Sequence, residues 1–124
     1  MPAPPPQTQR PPLLPEPPAE DLRLETVMGA LADPLRMTVA RKLLLDSEEF
    51  DHPCGWFGFD RPKSSLTHHF KVLRAAGVIH QRQYGLERRS RLRTDDLEQR
   101  FPGLLALIAA TGQGESPDPT APRR

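Results

Sequence analysis

The residues best suited to recognition chemistry lie in one run, Lys63-Ser64-Ser65-Leu66-Thr67-His68-His69-Phe70-Lys71. Leu66, Phe70 and Leu73 fall at i, i+4 and i+7, which predicts one buried stripe of a helix. The opposite face then carries hydroxyls, imidazoles and an ammonium. These short donors and acceptors suit the edges of nucleic-acid bases, and a major groove about 12 Å wide admits one such helix. A second group, Arg82, Arg88 and Arg89, surrounds a turn at Gly85-Leu86-Glu87. Long cations there are placed for phosphates or a minor groove.

The charge distribution supports the same chemistry. The chain has 17 Lys and Arg against 16 Asp and Glu, a formal charge of +1. Between positions 61 and 93, however, the bases are Arg61, Lys63, Lys71, Arg74, Arg82, Arg88, Arg89, Arg91 and Arg93, opposed by Glu87 alone. A basic block inside a neutral chain is the footprint of a polyanion-binding surface. The competing reading is a winged-helix protein-interaction module whose basic face meets an acidic partner.

Other chemistries find less support. No nucleophile–base pair, phosphate-cradling glycine loop or carboxylate couple stands out, so the chain reads as a non-enzyme without cofactor. Cys54 is its single cysteine, which excludes an internal disulfide framework. A structural role for Cys54 is the expectation. Its alternatives are a redox sensor and, with His52, a metal ligand, although a sensor thiol needs a low pKa and a resolving partner. His68 and His69 point about 100° apart on a helix and cannot chelate one ion together. His68 is read as facing nucleic acid, whereas His69 is equally a packing residue.

The elements that must position these groups follow from periodicity and punctuation. Residues 19–31 present Leu22, Leu24, Val27, Met28 and Leu31 as a helical face. Asp33-Pro34 predicts an N-cap followed by proline in the first turn, opening a helix to Leu45. Residues 47–61 hold Phe50, Trp56, Phe57 and Phe59 among Pro53, Gly55 and Gly58, which predicts a packed loop with a short helix near Trp56–Asp60. A helix from Pro62 to Ala76 ends at Gly77. Strands at 78–84 and 88–93 make a hairpin, and Thr94 is read as capping a final helical region broken at Pro102-Gly103. This order is mainly α with a small β-hairpin, a winged helix-turn-helix.

Sixteen prolines crowd toward the ends. They predict disordered tails at 1–18 and 112–124 around one domain at 19–111. Such a domain has a thin core. The apolar runs Leu22–Leu31 and Leu104–Ile108 exceed its needs, so a homodimer is expected. With neither a signal peptide nor a membrane-length apolar run, the chain reads as cytoplasmic and free of membrane contact.

Two motifs carry a family resemblance. Ala30-Leu31-Ala32-Asp33-Pro34-Leu35-Arg36, then KSSLTHHFKVLRAAGVI at Lys63–Ile79 with a basic wing, resemble the ArsR/SmtB family of bacterial transcriptional repressors over about Leu24–Ile108. The resemblance implies a homodimer paired through the first and last helices. It also implies binding to a palindromic operator on double-stranded DNA, and release by an inducer. Carried over by position, Ser64, Ser65, Thr67 and His68 would touch bases, while Lys63, His69 and Lys71 would approach the backbone. The Cys-x-Cys pair and last-helix ligands of metal-sensing members have no counterpart here, so metal sensing is not implied.

Overall fold

The computed structural model describes residues 10–46 and 51–112. Residues 1–9 and 113–124 of the expected tails, and Ser47–Phe50 of the expected loop, lie outside the described residues. Five α-helices and a small antiparallel sheet make up the described fold.

Helix α1 covers Leu24–Leu31, shorter than the expected 19–31. A single 3-10 turn occupies Ala19–Asp21, and Leu22 and Arg23 are extended between the two. The break has a tertiary cause: Leu22 is drawn into the core and lies directly on Gly77, where an added Cβ would come within 2.0 Å of Leu22 Cδ2. Burial of one leucine, about 2 kcal/mol, outweighs continuation of a short helix.

Helix α2, Pro34–Leu45, begins as expected. The Asp33 carboxylate accepts from the amides of Leu35 and Arg36 at 2.9 and 3.1 Å, and Pro34 occupies the first turn. Its cations staple neighbouring elements: Arg36 Nε donates to Ala30 O at 2.6 Å, and Lys42 Nζ donates to Phe57 O at 2.7 Å.

Strand β1, His52–Pro53, was not expected. It pairs with β3, so the expected hairpin is the larger part of a three-stranded sheet. A 3-10 turn at Cys54–Phe57 follows, slightly ahead of the expected short helix. Phe57 is buried beside Phe70, with ring centroids 5.3 Å apart, while Trp56 stacks on His52 at 3.7 Å.

Helix α3, Lys63–Ala76, buries Leu66, Phe70, Leu73 and Ala76. It stops at Gly77, whose φ of 85° is the left-handed conformation expected after a helix. Strands β2 (Ile79–Tyr84) and β3 (Glu87–Leu92) then pair from Ile79↔Leu92 to Tyr84↔Glu87. Their two-residue turn has Gly85 at φ 64°, the positive φ that such a turn needs at its first position. Helices α4 (Thr94–Arg100) and α5 (Leu104–Thr111) close the chain. Arg93, not Thr94, is the N-cap of α4 and gives no side-chain cap bond.

The largest departure concerns Arg10–Pro18, expected as part of a disordered tail. This segment lies along β2 as a strap. Leu14 N donates to Gln81 O at 2.8 Å, and Leu13 bridges Arg82. His80 Nδ1 lies 2.9 Å from both Glu16 oxygens, and Arg93 Nη1 donates to Pro17 O at 2.8 Å. Backbone bonding and two buried arginines hold a segment whose composition lacks the aromatic content that usually signals order.

Candidate nucleic-acid interface

The stripe that anchors α3 in the core turns Lys63, Ser64, Thr67, His68 and Lys71 to solvent. From 64 to 71 these positions span about 10 Å of helix surface at 1.5 Å per residue. Thr67 Oγ1 donates to Lys63 O at 2.9 Å, which leaves the hydroxyl's lone pairs outward as acceptors. Ser65 is half-buried at the edge of this face.

His69 belongs to the fold instead. Its Nδ1 lies 3.1 Å from Arg36 Nη1 and 3.8 Å from Asp33 Oδ2. A guanidinium only donates, so Nδ1 accepts and the ring proton sits on Nε2. Burial pushes the His69 pKa down, with Asp33 opposing and Arg36, His68 and Arg61 reinforcing. A neutral, half-buried imidazole offers little to a phosphate, so the expected backbone contact is not retained. The His68 and His69 rings are tilted, with centroids 5.8 Å apart.

At the hairpin tip Arg88 is exposed, and its Nε donates to Gln83 Oε1 at 3.0 Å. Arg89 donates to Glu87 at 2.8 Å and lies over the Tyr84 ring at 4.5 Å. These bonds splay the two guanidiniums while leaving further N–H groups on each.

Arg82 is a correction to the sequence reading. It is 7% exposed, ion-paired to Asp51 at 3.3 Å, and donates from Nε to Pro11 O at 3.0 Å. Asp51 also accepts from Tyr84 OH at 2.6 Å and pairs with Arg91 Nε at 3.2 Å. Burial, then the bond to Asp51, raises the Tyr84 pKa. Arg93, 4% exposed, is held by Asp96 at 3.0 Å and by the strap. Arg82 and Arg93 are therefore buried and ion-paired within the fold, and Arg91 shares the Asp51 carboxylate with Arg82. Of the cations between positions 61 and 93, Arg61, Lys63, Lys71 and Arg88 are exposed, and Arg74, Arg89 and Arg91 are partly exposed. Neither Asp51 nor Glu16 is legible in the sequence as a partner here, because Asp51 lies 31 residues from Arg82 and Glu16 lies 64 from His80.

Cys54 is half-buried. Burial pushes its thiol up, and the Lys63 charge pulls weakly the other way. A thiol so placed carries less thiolate than a free cysteine, the opposite of what a redox sensor needs. Among the described residues no three His, Cys, Asp or Glu side chains gather around a point that could hold a metal ion. No described helix is long and apolar enough to cross a membrane.

The chain matches no protein-family model, and no curated protein matches it.

Proposed function

We propose that the protein is a winged helix-turn-helix transcriptional regulator of the ArsR/SmtB kind, a repressor that binds a palindromic operator as a homodimer. One observation carries the reading. The face of α3 bearing Ser64, Thr67, His68 and Lys71 is open to solvent, its opposite face is locked in the core, and the hairpin that follows presents Arg88 and Arg89. Hydroxyl and imidazole groups read base edges, and the hairpin cations hold phosphates. Ser64, Ser65, Thr67 and His68 form the reading set, with Lys63, Lys71, Arg88 and Arg89 as the positioning set.

Dimerisation is supported by apolar side chains left in water. Leu24 and Met28, at i and i+4 on α1, are 43% and 56% exposed, and Leu107 on α5 is 60% exposed. A dimer on a palindromic operator needs its two α3 helices about one DNA turn apart, some 34 Å.

The test is a titration of the purified protein against its own upstream region and against a scrambled duplex of equal length. Saturable binding to the first, competed by itself and not by the second, is the expected result. Thr67→Ala and His68→Ala should each cost about 1–3 kcal/mol on the specific duplex and little on the scrambled one. Equal losses on both would overturn the assignment of α3 as the reading helix. Binding to acidic protein surfaces without any preference among duplexes would favour the interaction-module reading.

A further inference from the structure

Between α3 and the hairpin lies a cleft of about 700 Å³, a size typical of small-molecule sites. Its lining is chemically uneven. Lys63 from α3 and Arg88 from the hairpin contribute positive charge, while Phe70, Leu86 and the Cys54 thiol contribute apolar or weakly polar surface. Glu87 also lines the cleft, but its carboxylate is engaged by Arg89 at 2.8 Å.

The buried polar groups have a direction. Arg74 Nη1 donates to Gln81 Oε1 at 2.7 Å, and Gln81 Nε2 donates to Ser90 Oγ at 3.1 Å. Gln81 is 3% and Ser90 2% exposed, and both line the cleft. Ser90 Oγ thus receives a bond, and among the described residues its own hydrogen has no acceptor. A relay that begins on a guanidinium and ends on a buried hydroxyl donor is polarised toward an acceptor, and most strongly toward an anion.

We infer that this cleft binds a small organic carboxylate with an apolar body. The carboxylate accepts from Ser90 and lies between Lys63 and Arg88, and the body covers Phe70, Cys54 and the fully exposed Leu86. The consequence for regulation rests on the function proposed above. Lys63, Thr67 and Arg88 border the cleft and also belong to the DNA-facing set, so ligand and operator exclude one another. A ligand at a hundred times its dissociation constant would then weaken operator binding about 100-fold.

The probe is naphthoate, with uncharged naphthamide as its control, titrated into the full chain while amide NMR signals are followed. Naphthoate should saturate, with shifts centred on Gly55, Thr67, Gln81 and Ser90, and should bind at least about tenfold tighter than naphthamide. Ser90→Ala should weaken it. Lys63→Met combined with Arg88→Met, both at exposed positions, should weaken it about tenfold or more, and this variant carries the test if Ser90→Ala does not fold. No saturation into the millimolar range overturns the inference. So do equal affinities for the two probes, or shifts centred on Leu24, Met28 and Leu107. Naphthoate binding in a protein that ignores its upstream DNA would uphold the cleft and defeat the proposed function. Operator binding with no response to naphthoate would do the reverse.

Discussion

Removing the hairpin's two guanidiniums, Arg88→Ala with Arg89→Ala, tests how the basic block is used. In the proposed dimer each copy presents five cations around α3 and the hairpin, the exposed Arg61, Lys63, Lys71 and Arg88 and the partly exposed Arg89. If each neutralises one phosphate, a dimer makes ten contacts and log K falls with log salt at a slope of about −9. The double variant loses four of these contacts, so its slope should flatten to about −5.4. Between 50 and 200 mM salt the native protein should lose roughly 10⁵-fold in affinity and the variant roughly 10³-fold. Fluorescence anisotropy on the operator and on a scrambled duplex, at four or five salt concentrations, measures both slopes. The change should be the same on both duplexes, because phosphates carry no sequence. An unchanged slope would refute the placement of the hairpin on the backbone. An affinity loss on the operator alone, with the slope unchanged, would show that Arg88 or Arg89 reads bases.

Other residues make contrasting predictions. Arg82→Ala should leave the salt slope untouched but cost about 3 kcal/mol of stability, because Asp51 would lose a buried partner. Calorimetry should show a melting temperature lower by more than about 10 °C, and a native-like melt would sink this account of Arg82. Cys54 should react with a disulfide reagent at pH 8 more slowly than an unstructured cysteine peptide. Lys63→Ala should slow it further, since Lys63 is the group that lowers the thiol pKa; a rate above the peptide's would contradict the burial argument. His69 takes up a proton less readily folded than unfolded. Its contribution is therefore whole above the ordinary histidine pKa of about 6.5 and is lost as pH falls below it. His69→Gln should flatten the decline in melting temperature between neutral and mildly acidic pH, and an unaltered decline would assign it to other groups.

The parts of the fold legible in sequence are those fixed by neighbours a few residues away. Asp33-Pro34 caps α2 through bonds to Leu35 and Arg36, Gly77 ends α3, and Gly85 sets the hairpin turn. The outward face of α3 was equally readable, because Leu66, Phe70 and Leu73 leave no choice of which side is buried. What escaped depends on distant partners. Arg82 has the strand position of a hairpin cation, yet Asp51 and Pro11, 31 and 71 residues away, enclose it. Arg10–Pro18 looked unstructured by composition, but its order comes from the β2 backbone and from His80 and Arg93. Strand β1 contains only two residues, His52 and Pro53, too few for any alternation to register. The cleft was hidden for the same reason, since Arg74, Gln81 and Ser90 become a relay only when hairpin and helix meet.

The strap on β2 also bears on what can add to that edge of the sheet. A strand at the end of a sheet exposes unpaired amides and carbonyls, a template on which another chain can add and aggregate. Here that margin is occupied by residues of the same chain, five of which between positions 11 and 18 are prolines. Proline has no amide hydrogen to offer a newcomer. The strap is thus a terminator on the β2 side: it occupies that edge and refuses the next strand there. Strand addition on this side is thereby opposed, because a second chain would first have to displace the strap. Truncating residues 1–18 would remove more than a tail, because it would reopen a sticky edge beside the hairpin.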